Sequence, residues 1–471
     1  TSFFNRNQIN TKVLNTNSLL KTKKTFLPKQ KKTKKTNSRN EHNNKYTIKN
    51  NIKLNIKSYH YNNDYKDFNL ILNELRNIKL QRANIIIKYG YNKNILPFTN
   101  EYTQELSKYI NSKYNTKISN AYVKLWEIYE TFNLIPKNKK NIRMFHIAEL
   151  PGQFINCTYK YINKLRVDCK YEWYANSLNP YNKKNIEIFG NSAFRDNYGY
   201  LKKHNSRWLW GSDGTGNLFN SKNILWYHNF IQKSSNNNFI NSKIDIVTGD
   251  AGIDTKYTSM RDQQLLEFAQ CICSLATCTI GSSTIIKTYT PFQANNKDTD
   301  LSSGYFVNLI NLYYLYFDEV NLFKPLSSRP IAGEFYIVAK GFKGIRRKDL
   351  EKLCKVIDNF KLNQCIFKKE DIPRTVIIKV IEFLDKMKDL NIDFITKFNN
   401  LNICLNNDNN KILNNKKNID SNKYIISFAE KECDNIYKKL IKNSNKHNFK
   451  SKFNTLQKQY FIDFIKKYNL V

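Results

Sequence analysis

Acid is short relative to base in this sequence: 39 aspartates and glutamates stand against 77 lysines and arginines, a formal net charge of +38 over 471 residues. Such a surplus calls for counterions or a polyanion, and it fits RNA, DNA or an anionic membrane surface. Part of it is compositional, because the chain abounds in Asn, Lys and Ile, as A/T-rich coding tends to produce. Metal-binding and cross-linking patterns are missing as well. The nine cysteines include no Cys-x-x-Cys pair, and the six histidines are scattered without ligand spacing. Neither a zinc site nor a disulfide framework is supported, no metal is expected, and a reducing, intracellular compartment is the default. Cys271, Cys273 and Cys278 lie in a stretch that reads as a buried helix, where cysteine serves as a small core residue.

Long apolar runs are absent too. None reaches the roughly 18 to 20 residues that cross a bilayer, and the nearest, Val307 to Phe317, is short and rich in tyrosine. No membrane partner is expected. The basic, acid-poor start is compatible with a transit peptide.

Composition divides the chain in three. Residues 1–64 are a Lys/Asn/Thr-rich arm with few apolar positions to bury, suited to tethering RNA or to remaining solvated. Residues 65–345 hold the folded pattern: helical spacing first, as in Tyr122, Leu125, Trp126, Ile128 and Tyr129, then short apolar runs closed by turn residues. These runs are Met144–Leu150, Glu172–Leu178, Trp208–Gly211, Ile244–Gly249, Ser283–Tyr289 and Glu334–Lys340, with a helix over Asp262–Cys278. Strands alternating with crossovers predict a mostly parallel α/β sheet. Residues 346–471 read as a separate appendage of lysine-rich helices, such as Lys348–Phe360 and Val376–Leu390, interrupted by Asn-rich sequence at Asn406–Asn418.

Ligands of an open α/β sheet bind beyond the carboxyl ends of its strands, so the residues that close each strand are the candidates. The first strand closes on Glu149-Leu150-Pro151-Gly152-Gln153-Phe154, where glycine lets backbone approach a ligand; an ordinary turn has the same form. This is neither Gly-x-Gly-x-x-Gly nor a Walker loop, so a pyrophosphate cradle is not on offer. The third closes on a polar loop containing Asp213 and Asn217, able to bond a base or sugar. The fourth places Asp250 between glycines. Lys287 lies in an apolar strand, Glu334 begins another, and Lys124 sits among apolar helical neighbours. A buried lysine is costly unless acids hold it. Two lysines and two acids balance, and a cationic neighbour is expected to lower a lysine's pKa so that it can take a proton from a hydroxyl.

Read in order, these motifs resemble the FtsJ-like family of RNA ribose 2'-O-methyltransferases, in the branch of cap-specific enzymes of eukaryotes and large DNA viruses. The resemblance runs from about Ser119 to Lys343. It rests on Lys124 in a helix before the first strand, the Pro151-Gly152-Gln153-Phe154 turn, Asp250, Lys287 and Glu334. Lys324-Pro325, Ser327-Ser328-Arg329-Pro330 and Glu334-Phe335-Tyr336 flank the last of these in the family's pattern. Gln153 departs from that pattern, since the family has a second glycine there.

The resemblance implies a Rossmann-like methyltransferase sheet with helices on both faces and S-adenosylmethionine as cofactor. It implies a catalytic tetrad of Lys124, Asp250, Lys287 and Glu334, with the cofactor held by Glu149, Pro151, Gly152, Gln153, Phe154, Asp250 and either Asp213 or Asn217. The implied substrate is capped mRNA at its first transcribed nucleotide, cap 0 to cap 1, with other capping or transcription subunits as possible partners. The implied place is the cytoplasm, viral factory or virion for a viral protein and the nucleus for a cellular one. A ribosomal or transfer RNA methyltransferase is the alternative within the class; an inactive RNA-binding or structural subunit is the alternative outside it. Trp208, Trp210 and Trp226 offer stacking platforms for bases or, equally, core packing.

Overall fold

The computed structural model describes residues 104–136, 139–165, 168–190, 194–233, 243–252, 258–290, 303–414 and 461–470, with scattered positions between 70 and 87 and at 458–459. All of these lie in the unit Leu54–Val471. The expected arm 1–64 lies outside the described residues.

Helices α1 (Gln104–Tyr114) and α2 (Asn120–Phe132) come before the first strand. At the start of α2 the Ser119 hydroxyl accepts the Tyr122 N–H at 3.3 Å, and Asn133 ends the helix at φ 48°. Serine at the cap satisfies an amide with no intrahelical partner, and asparagine tolerates the left-handed turn. The predicted apolar face, Tyr122, Leu125, Trp126, Ile128 and Tyr129, is buried throughout. Residues 461–470 lie against this helix: the Trp126 indole N–H donates to the Tyr468 carbonyl at 2.7 Å.

The chain then runs β1 (Asn141–Ile147), α3 (Gln153–Leu165), β2 (Lys170–Asn176), α4 (Lys183–Phe189), α5 (Tyr200–Lys203), β3 (Trp208–Leu209), α6 (Ser221–Lys233) and β4 (Ile246–Gly249). It continues through α7 (Met260–Thr277), β5 (Ser283–Tyr289), α8 (Ser303–Tyr316), β6 (Phe317–Phe323), β7 (Glu334–Phe342), α9 (Arg347–Asp358) and α10 (Arg374–Asn414). Among the described residues the strands form one seven-stranded sheet in the order β3-β2-β1-β4-β5-β7-β6. The first five are parallel, and β7 runs antiparallel to both β5 and β6. This is the expected Rossmann-like α/β sheet. The strand order reverses between β1 and β4, so the crevice beyond their carboxyl ends is the favoured ligand position.

Several expected bounds shift, and α10 runs to Asn414 through part of the stretch, Asn406–Asn418, that was expected to interrupt the helices. The first strand stops at Ile147, short of Leu150, because Ala148 takes φ 54° and cannot continue it. The helices after Arg346 do not form a separate appendage: Leu350, Leu353, Cys354 and Ile357 of α9 and Val376, Val380, Phe383 and Leu384 of α10 join Phe268, Phe306, Phe335 and Ile337 in one core. The expected boundary at 345 is therefore no break in packing. We predict that Ile357→Val lowers the stability of the whole unit by about 0.5–1.5 kcal/mol, read as a shift of one unfolding transition. An independent appendage would leave the main transition where it was.

Candidate active site

Register brings the strand-closing residues together. Gly249, the end of β4, pairs with Ile147 on one side and Ile286 on the other, so Asp250 and Lys287 both follow directly at the sheet's edge. The Lys287 ammonium donates to the Asp250 carbonyl at 2.8 Å and lies 3.1 Å from its Oδ1. Across the antiparallel ladder Lys287 faces Tyr336 and Tyr289 faces Glu334. From outside the sheet, Lys124 of α2 forms an ion pair with the Glu334 carboxylate. All four expected catalytic residues thus meet, as two linked acid–lysine pairs.

Their charges are set by one another. Burial works against the Glu334 carboxylate, but Lys124, Lys287 and Lys324 overcome it and draw its pKa down to about 2. Burial also works against the Lys287 ammonium, yet Asp250, Tyr289 and Glu334 outweigh it and hold its pKa above the ordinary lysine value. The expected lowering does not occur, because Lys124 directs its charge to Glu334 and leaves Lys287 between acids.

Three supporting groups had no role assigned from sequence. The Tyr336 hydroxyl donates to Asp250 Oδ1 at 3.0 Å. Lys324, buried, donates to the Ser328 hydroxyl at 3.0 Å and to the Ala332 and Glu334 carbonyls at 2.7 and 2.6 Å. Ser328 in turn donates to Glu334 Oε1 at 2.9 Å. The Lys-Pro and Ser-Arg-Pro motifs were visible in the sequence; that they serve as a brace for Glu334 is visible only in three dimensions.

The turn after β1 is built for close approach. Gly152 takes φ 101°, and a Cβ there would come within 2.8 Å of the Tyr200 ring, so only glycine suits it. Glu149 is buried and its Oε1 accepts the Phe154 and Ile155 amides at 2.7 and 3.0 Å, capping α3. The Phe154 side chain is in the core. Gln153, the departure from the family pattern, accepts from the Ser119 hydroxyl, so it ties this turn to the cap of the helix carrying Lys124. In the 211–217 loop Asp213 already accepts from Thr215, Asn220 and Asn223, which hold its pKa near 2 against the opposing effect of burial. Asn217 accepts the Phe219 amide at 2.9 Å, while its own NH2 donates to no described residue. Of the two alternatives, Asn217 is the better placed to meet a ligand. Trp208 is buried edge-on to Trp173, which makes it a core residue, and Trp210 stacks on it.

Two buried glutamates give the fold a pH dependence. Burial pushes Glu127 up to about 7 and Glu149 up to about 8, against the amides that bond them. A carboxyl with a raised folded-state pKa binds more protons folded than unfolded, so its contribution is full below its ordinary value and is lost as pH rises through the raised one. Denaturant midpoints are therefore expected to fall between about pH 4.5 and pH 8, and Glu127→Gln should flatten the slope. Midpoints that rise over this interval would contradict the assignment.

Among the described residues no group of three or more His, Cys, Asp or Glu could hold a metal ion, and no helix is long and apolar enough to cross a membrane. Residues 118–342 match the family model described as FtsJ-like methyltransferase. The chain is 30% identical over 423 residues to an uncharacterized protein of Acanthamoeba polyphaga mimivirus, covering 82% of this chain and 48% of that one. It is 25% identical over 319 residues to cap-specific mRNA (nucleoside-2'-O-)-methyltransferase 2 of Danio rerio, covering 65% and 40% respectively. A third relative, probable methyltransferase EP424R of African swine fever virus, is 27% identical over 246 residues, 50% of this chain and 52% of that protein. The chain spans about half or less of the length of each.

Proposed function

Since residues 118–342 are an FtsJ-like methyltransferase domain, we propose that the chain transfers a methyl group from S-adenosylmethionine to the ribose 2'-oxygen of RNA, with the first transcribed nucleotides of capped mRNA as substrate. The observation that carries this reading is the linked pairing of Lys124 with Glu334 and of Lys287 with Asp250, at the edge of β4, β5 and β7 next to the strand-order reversal. The names of two relatives, a cap-specific mRNA methyltransferase and a probable viral methyltransferase, support it. The net charge of +38 suits a polyanionic substrate.

The residues present fit the cofactor. Glycine at 152 lets the turn after β1 take φ 101° against the Tyr200 ring, and a side chain at 252 would come within 3.3 Å of the Lys287 Nζ. The 149–154 turn, Asp250 and Asn217 would hold it, and when bound it supplies an electrophilic methyl group on a positively charged sulfonium. Added positive charge beside it lowers the proton affinity of Lys287, which releases its ammonium proton to solvent; the neutral amine then orients the 2'-hydroxyl and accepts its proton. Asp250 fixes the lysine head. Glu334 and Lys124 keep the neighbouring charge balanced, and Lys324 and Ser328 hold Glu334 in place. The products are a 2'-O-methyl ribose, S-adenosylhomocysteine and a proton.

A radiolabelled methyl-transfer assay on capped and uncapped RNA of one sequence, followed by nuclease mapping, tests this reading. Label at a 2'-oxygen next to the cap is expected. Equal turnover on uncapped RNA would move the substrate to ribosomal or transfer RNA, and absence of transfer to either would sink the enzymatic reading.

A further inference from the structure

Gln270 lies in the middle of α7, a buried amide flanked by Ala269 and Cys271 in the core. Burying an amide is unfavourable unless it is bonded, and this one is bonded at both ends. Its Oε1 accepts the Ala251 N–H at 2.8 Å, and its Nε2 donates to the Lys287 carbonyl at 2.9 Å. The position has a structural logic. β4 ends at Gly249, paired with Ile286, while β5 continues to Tyr289. Beyond Ile286, β5 has no β4 residue to pair with, and the Gln270 amide stands in for the missing peptide, with one donor and one acceptor. The helix comes close enough because residue 249 is glycine: a Cβ there would lie 2.7 Å from the Gln270 oxygen.

We propose that Gln270 is a positioning residue for methyl transfer, fixing the backbone of Lys287 against that of Asp250 and so setting the contact between their reacting ends. This rests on the reading of the site given above. Gln270 bonds the residue after Asp250 and the carbonyl of Lys287 itself, whereas the Lys287 head bonds the Asp250 carbonyl and carboxylate. Lysine and aspartate are thereby held at both ends. The groups whose charge bears on Lys287 are Asp250, Glu334 and Tyr289, with Glu267 on α7 itself.

Gln270→Leu keeps most of the volume and removes both bonds. Its kcat is expected to fall about 10- to 100-fold, as a small misplacement of a reacting group does, with cofactor Kd and RNA KM within about twofold. The pH profile of kcat should shift, since the lysine–carboxylate contact loosens. In Gln270→Glu one oxygen still takes the Ala251 amide and the protonated acid can donate to the Lys287 carbonyl, so its deficit relative to the wild type at the same pH is expected to shrink toward low pH. A folded Gln270→Leu with wild-type kcat and pH profile would overturn the proposal, as would a kcat loss with the profile unmoved. Where the leucine variant does not fold, the glutamate variant decides: a wild-type profile overturns the proposal and a shifted one supports it. The Lys287 ammonium NMR signal, assigned by its loss in Lys287→Met, gives a reading independent of turnover. If the wild type transfers no methyl group, the functional reading fails, and an unshifted Lys287 titration in Gln270→Leu would separately end this proposal.

Discussion

Lys287→Met is expected to slow methyl transfer to RNA by about 10²- to 10⁴-fold, the usual worth of a positioned proton acceptor, while S-adenosylmethionine binding measured by calorimetry changes little. The methionine has similar length and no ionisable head, so the loss isolates the amine. The wild-type rate should still be climbing at about pH 9, because Asp250, Tyr289 and Glu334 overcome burial and hold Lys287 protonated past the ordinary lysine range. Unchanged single-turnover rates in the methionine variant would show that Lys287 is not the acceptor.

Glu127→Ala is expected to destabilise the fold by about 3–5 kcal/mol, the cost of breaking a buried, multiply bonded charged or polar group. The Glu127 carboxyl has no solvent exposure and accepts the Leu326 amide at 2.7 Å, the Ser327 amide at 3.1 Å and the Ser327 hydroxyl at 2.8 Å. Alanine leaves those donors buried without an acceptor. The loss should reach catalysis as well, because the segment it anchors runs directly into Ser328, which holds Glu334. Glu127→Gln keeps an acceptor and should cost less. Chemical denaturation of the three proteins, with kcat measured well below the transition, checks both effects; an alanine variant as stable as the wild type would refute the anchor.

The sheet was legible because its parallel strands are apolar runs stopped by turn residues. β6 was missed because it is an edge strand with Asp318 and Glu319 both exposed, so its sequence lacks a two-sided apolar signature. α9 shows the opposite problem: its lysines dominate the composition, yet Leu350, Leu353, Cys354 and Ile357 recur at helical spacing and are buried. Asp250, Lys287 and Glu334 could be picked out because a charged residue at the end of an apolar strand is costly without a partner. Tyr336 and Gln270 could not, since a buried tyrosine or a glutamine within a helix reads as ordinary until the strand across from it is known. The Lys287 proton affinity was misjudged for the same reason. Sequence supplies the balance of charges, and distance decides which of them pair.

The packing of residues 461–470 on α2 bears on where an active fragment can be cut. The Trp126 indole takes its acceptor from Tyr468, more than three hundred positions along the chain, and Trp126 is two residues from Lys124. A fragment trimmed to the family match, residues 118–342, would strip that acceptor from the indole and uncover the core faces against α9 and α10. Sequence similarity therefore marks the chemistry more narrowly than the molecule does, and the smallest catalytic fragment has to be sought by its packing.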